Sequence, residues 1–286
     1  MKFELLLLGT VDSSLGRLDY ASLSQQALME MVIDGITNKE KICGDLDEPK
    51  DIEEWKGVTL EDGEVVEINW DERELTGSLH LEWLPPSVRK FNGSRSKLTG
   101  TIDLANLPIV MTQLELALNA FTGSIDIERL SPVMEFLNVS SNELTGSLNL
   151  GSLPKAMTDF FAHYNKFSGS IDLSQLPAVL VWLDLSKNHL SASVVLTQLP
   201  SNLKKLDLSS NQFSGYLDLT ILPSSLSNLF LNNNSFSGTV DLSQLPQGHL
   251  RLYLSDNALS GEAFIPDALF DSVNVDGTRI IKRHMA

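Results

Sequence analysis

The chain has 286 residues, 42% of them hydrophobic and 20% charged, and a formal net charge of −16 at neutral pH. That supplies apolar material for a long core, with no low-complexity tract. The acidic balance excludes broad nucleic-acid binding, which needs lysine and arginine to neutralise phosphates; residues 1–74 hold 19 acidic and 7 basic side chains, and the rest is near neutral.

At the N-terminus Lys2 followed by Leu5-Leu6-Leu7-Leu8 imitates a signal peptide. Glu4 interrupts that stretch, which is too short, and no small-x-small cleavage site follows closely. No window reaches the length of a membrane span. Cys43 is the only cysteine, so no intramolecular disulfide can form, which suits a reducing compartment. The expectation is a cytoplasmic or otherwise intracellular protein, with secretion as the alternative. Ser22-Leu23-Ser24-Gln25 reads as a capping box opening a helix, with Leu23, Leu28, Met31, Val32 and Ile36 on one face. Glu54-Trp55-Lys56-Gly57-Val58-Thr59 and a charged turn then lead to a first strand at Val65-Val66-Glu67-Ile68-Asn69-Trp70. Residues 1–74 are thus expected to form an acidic segment and helical cap.

From Leu75 the motif Leu/Phe-Thr/Ser-Gly recurs every 23 residues, at Leu75, Leu98, Phe121, Leu144, Phe167, Leu190, Phe213, Phe236 and Leu259. No insertion breaks the eight intervals, and only Ser191-Ala192 departs from Thr/Ser-Gly. Such a period marks a solenoid. Within a repeat, Leu180-x-x-Leu183-x-Leu185-x-x-Asn188-x-Leu190 carries the structure. Leu183 and Leu185 alternate with Trp182 and Asp184, a period of two that places a short strand there. Asn119, Asn142, Asn165, Asn188, Asn211, Asn234 and Asn257 form a column, one per repeat. An amide both donates and accepts, so a stacked column can satisfy backbone groups where each coil leaves its strand. Eight repeats span residues 75–258, and residues 259–286 read as a partial repeat and cap, irregular from Phe264 to Ile281, with Lys282-Arg283-His284 a frayed tail.

The pattern resembles leucine-rich repeats of the plant-type class, L-x-x-L-x-L-x-x-N-x-L-x-G-x-I/L; with Ile171-Asp172-Leu173 and Leu176-Pro177 it is similar to repeats of uncharacterised protist proteins. The resemblance covers about residues 55–260. It implies an α/β-type repeat fold: a right-handed solenoid with a concave parallel sheet, shorter extended segments behind it, an N-terminal helical cap and an irregular C-terminal cap. Residues 54–59 are similar to the cap motif C-W-x-G-V-x-C of that class, but Glu54 and Thr59 stand where the family has cysteines. The cap disulfide is therefore absent, and Trp55 with the helix is expected to hold the cap by apolar packing.

Two solvent-facing columns follow from the register. One carries Gln113, Phe136, Asp159, Trp182, Lys205, Asn228 and Arg251; the other carries Glu115, Asn138, Phe161, Asp184, Asp207, Phe230 and Tyr253. Phe136, Phe161 and Trp182 fall as diagonal neighbours on consecutive strands, with His163 and Tyr164 on the adjoining rim. Unless curvature or the N-terminal segment covers them, they form an exposed apolar patch of the kind that marks binding sites. The candidate partner-binding residues are Phe136, Phe161, Tyr164, Trp182, Lys204 and Lys205, with Asp207 at the edge and Phe230 and Tyr253 as a second cluster. Arg89, Lys90, Arg95 and Lys97 make a basic cluster that could pair with the acidic head or form a solvated edge.

No nucleotide-binding loop, nucleophile elbow or zinc-ligand spacing occurs. The column Asp103, Asp126, Asp172, Asp218 and Asp241 lacks a second acidic column and reads as solvent-facing rather than calcium-binding. Cys43 is placed in an acidic loop that raises its thiol pKa. Asn92, Asn138 and Asn233 head N-x-S triplets, and glycans on the first two would obstruct the candidate face. The expected function is a non-catalytic interaction module, an adaptor or structural subunit that binds a protein partner without cofactor, metal, nucleic acid or membrane span. The alternative is a secreted or surface recognition protein for peptide or glycan.

Overall fold

In the computed structural model, residues 23–45 and 49–285 are described; the leucine run at 5–8 and Ser22 lie outside them. Two sheets run the length of the molecule. The main sheet has eleven strands. It opens with an antiparallel hairpin, Val58–Glu61 with Glu64–Asn69, turned by Asp62 and Gly63, both at positive φ (51° and 81°), as a two-residue primed turn requires. The later strands pair in parallel, each with the strand one coil ahead, so that Asp159, Trp182, Lys205, Asn228 and Arg251 are successive register partners. On the far side of each coil a shorter strand joins a second parallel sheet of eight strands. The fold is a leucine-rich-repeat β-solenoid with few helices.

Burial follows the alternation. In Trp182–Asp184 the outer residues are half-buried and Leu183 is buried; the same pattern holds in the strands that start at Gln113, Phe136, Asp159, Lys205 and Asn228. The first residue of every repeat, from Leu75 to Leu259, is inside the core, and Phe213 and Phe236 stack there with centroids 6.2 Å apart. No single coil can bury these side chains alone, so the coils stabilise one another as a stack.

The repeat glycine sits at positive φ, for example 85° at Gly169 and 86° at Gly215. Ala192 occupies the same place at φ 71°, a region costly for a residue with a Cβ. Ala192→Gly is expected to gain about 0.5 kcal/mol, the relieved strain exceeding the added chain entropy. The gain would be read as a higher urea midpoint at unchanged slope; a lower midpoint would show that the Ala192 methyl contributes more than its strain costs.

The N-terminal helix spans Gln25–Val32, and its cap is Ser24, whose hydroxyl accepts from the Ala27 N–H at 3.2 Å. The capping box expected from Ser22 is thus displaced by one helical step. Leu28, Met29, Val32, Ile33 and Ile36 face the core, whereas Leu23 and Met31 are only half-buried. Two side-chain amides lock the helix to the hairpin: Gln25 accepts from Val65 N–H at 2.7 Å and Gln26 from Ile52 N–H at 2.8 Å. Trp55 and Trp70 are buried, and their indole N–H groups donate to the carbonyls of Lys50 and Lys56. Gly57 is required between them, because a Cβ there would meet the Asn69 carbonyl oxygen at 2.0 Å. Cys43 is not in a loop but ends the short helix Glu40–Cys43 and is buried. Burial, rather than acidic neighbours, is the main cause that raises its thiol pKa.

The C-terminal end loses the period but not the hydrogen bonding. Val273–Asn274 adds the last strand of the main sheet, and Arg279–His284 pairs in parallel with Ser260–Ile265. The tail expected to fray is therefore a strand. The Lys282 ammonium donates to the Val273 carbonyl at 2.9 Å, and the His284 ring stacks on Phe270 at 3.8 Å.

Candidate functional site

The sheet positions the candidate residues through its one-to-one register. Phe136, Asp159, Trp182 and Lys205 share one outward column, and Asn138, Phe161, Asp184 and Asp207 the other. The diagonal offset brings three rings into one cluster. Phe136 and Phe161 lie 5.5 Å apart at 49°, and Phe161 meets Trp182 edge-on at 4.8 Å and 79°. Edge-to-face contact is favourable for aromatic quadrupoles. The Lys205 ammonium sits over the Trp182 ring, 3.9 Å from its centroid, a cation–π contact. Phe230 and Tyr253 stack at 4.8 Å and 23° as the second cluster, two strands further on. All five rings are half-buried, resting on the leucines beneath with their outer faces open.

The rim residues divide. Tyr164 is exposed, with the Lys187 ammonium 4.5 Å from its ring centroid. Its φ of 57° matches the position one coil away on either side, Ser141 at 54° and Lys187 at 53°; each coil bends here just before its asparagine. His163 Nδ1 lies 3.3 Å from Asp184 Oδ2 but off the direction of a hydrogen bond. Lys204 is exposed at the strand's entry, outside the ring cluster.

Two structural tasks escaped the sequence reading. In the second column, Asn138, Asp184 and Asp207 each accept from the backbone N–H two residues ahead at 2.9–3.1 Å, and from the hydroxyl of that serine at 2.6–2.7 Å. On the far side Asp103, Asp126, Asp172, Asp218 and Asp241 do the same for the residue two ahead. The serine or threonine hydroxyl and N–H hold Asp172, Asp218 and Asp241 below the usual carboxylate range. These are Asx turns; the regular Asp-x-Ser/Thr spacing was the available signal.

Burial pushes the Asp207 carboxyl up, the Ser209 hydroxyl opposes it, and the charge of Asp184 adds to the rise. A folded pKa above the unfolded value of about 3.9 means that ionisation costs stability, a cost absent below both values and complete above both. Asp207→Asn keeps the accepting oxygen and removes the charge. Its urea midpoint is expected to equal or exceed that of the unchanged chain at pH 7, with the difference fading below about pH 4. A clear loss at pH 7 would mean that the charge stabilises the fold.

The basic cluster pairs in part with the acidic head: Arg89 with Glu61, and Arg95 with Asp71 and Glu72. Lys90 and Lys97 are exposed. Among the described residues no group of three or more His, Cys, Asp or Glu side chains is placed to hold a metal ion, and no helix is long and apolar enough to cross a membrane.

This geometry defines a leucine-rich-repeat protein, a class that is generally non-catalytic and typically binds protein or peptide. The family model described as Leucine Rich Repeat matches residues 202–229. No curated protein matches the chain. Among solved structures, a plant ice-binding protein is similar at 21% identity and TM-score 0.57, covering 83% of this chain and 87% of that one. The leucine-rich-repeat ectodomain of the Arabidopsis receptor kinase HAESA, solved with an IDA peptide hormone, is similar at 19% identity and TM-score 0.51. That match covers 90% of this chain and 53% of the ectodomain, so the chain spans about half its length. Both likenesses are of fold.

Proposed function

We propose that the chain is a non-catalytic binding module whose protein partner docks on the main sheet over Phe136, Phe161 and Trp182, with Tyr164, Lys204 and Lys205 at the rim and Phe230 and Tyr253 as a second contact. The observation that carries this reading is the continuous contact of three half-buried rings on an open sheet face. Aromatic side chains keep few rotamers and lose little entropy on binding, which makes such clusters effective anchors. The HAESA ectodomain, solved with a peptide hormone, supports an extended peptide segment as the occupant. An adaptor or assembly subunit inside the cell is the preferred setting, because Cys43 is a buried free thiol and the cap is held by tryptophans and amides. Affinity capture from the native extract, run beside a Phe161→Ala, Trp182→Ala double variant, tests the proposal. Proteins lost only with the variant support it; proteins retained by both move the interface elsewhere.

A further inference from the structure

Asp184 and Asp207 are register partners on adjacent strands, between the two aromatic clusters. One oxygen of each serves the fold by accepting from Ser186 and Ser209. Elsewhere in the column asparagine does that work. Asn138 accepts from the N–H and hydroxyl of Ser140, and Asn92 from the Ser94 N–H. The second oxygen at positions 184 and 207, and the charge it brings, is therefore surplus to the fold. Holding two half-buried carboxylates side by side is unfavourable without a cation. Lys205 lies over Trp182 instead. Among the described residues, only His163 places a basic nitrogen within 4 Å of either carboxylate.

We propose that this acidic pair receives one arginine or lysine side chain from an extended peptide laid across the strands. The inference rests on the aromatic-patch reading above and specifies the partner's chemistry. Strands about 4.8 Å apart put the midpoint of the pair about 7.2 Å from the Phe161 position on one side and the Phe230 position on the other. In an extended peptide, residues two apart face the same way and lie about 6.8 Å apart. The match sets a motif: apolar, any residue, basic, any residue, apolar. The outer residues cover Phe161 with Trp182 and Phe230 with Tyr253. Arginine suits the centre best, since its planar fork meets carboxylate oxygens in pairs and its faces stack on rings.

A pool of displayed nonapeptides randomised at every position, selected on the immobilised full chain and sequenced, tests this. Three baits run in parallel: the unchanged chain, Asp184→Asn with Asp207→Asn, and Phe161→Ala with Trp182→Ala. The asparagine bait keeps the accepting oxygen that Asn138 already supplies, and equal unfolding midpoints confirm that it is folded. The expected result on the unchanged chain is a basic residue with apolar residues two places to each side. On the asparagine bait the basic position should vanish while the apolar positions remain. Replacing the arginine of an enriched peptide by citrulline should weaken binding about tenfold on the unchanged chain and leave it unaltered on the asparagine bait. Apolar enrichment without a basic position, or a basic position that survives on the asparagine bait, overturns the inference and leaves the aromatic reading standing. No enrichment, or enrichment equal on the alanine bait, overturns both.

Discussion

Replacing Asn188 by alanine is expected to cost about 3 kcal/mol of stability, the combined effect of one orphaned buried donor and a lost polar contact between coils. The Asn188 amide oxygen accepts from the Phe167 N–H at 3.0 Å, and its nitrogen reaches the carbonyls of Ala162, Leu185 and Ser186 at 3.0–3.2 Å. Those carbonyls keep other donors: Asn165 for Ala162, Asn211 for Leu185, and the Tyr164 N–H for Ser186. The Phe167 N–H loses its acceptor at a buried position, and leaving such a group unpaired costs about 1–3 kcal/mol. Asn188→Ser should recover part of the loss, because the ladder already uses a serine at its start, where Ser96 accepts from the Leu75 N–H at 3.1 Å. Urea unfolding reads the magnitude, and amide exchange at Phe167 reads the place. A loss under about 1 kcal/mol would mean that the ladder is dispensable.

The second large effect concerns binding. Phe161→Ala with Trp182→Ala is expected to lower partner affinity at least 100-fold, about 2.7 kcal/mol, as expected for central aromatic anchors. Stability should change far less, because both rings lie outside the core and Phe160 and Leu183 beneath them are untouched. Phe136→Ala alone should give a smaller loss, as this ring touches only one of the other two in the cluster. Phe230→Ala with Tyr253→Ala separates the two clusters: a loss there shows that one partner spans both. Isothermal titration with the captured partner and thermal unfolding of each variant check the pair of claims together. Full affinity in the Phe161, Trp182 variant would remove the main sheet from the interface.

The repeating part of this molecule was legible in the sequence because each feature is written eight or nine times. The 23-residue step fixed which residues share a column, and the period of two fixed which face they take. The contacts among Phe136, Phe161 and Trp182 follow from those two numbers alone. Legibility fell where no second copy exists to set the register. The helix cap moved from Ser22 to Ser24, and Cys43 proved to be on a helix. Arg279–His284 is paired because the long strand Ala258–Ile265 offers an edge beyond its repeat residues, a length that the period did not announce. Columns that mix residue types also hid their role: Asn138, Asp184 and Asp207 perform one local bond, and only the hydrogen-bond geometry separates that shared task from the charge two of them add.

The uninterrupted coil also fixes a unit of distance. Every strand of the main sheet after the hairpin pairs with the one a single coil ahead, so the gap between the Phe161–Trp182 and Phe230–Tyr253 clusters can change only in whole steps. Duplicating residues 190–212 would slide the second cluster along the axis by one strand spacing, about 4.8 Å, while each cluster kept its own neighbours. A ligand that bridges both would then need one or two further residues to reach, at about 3.4 Å each. The solenoid behaves as a toothed rack, on which the number of coils sets the length of what can be held.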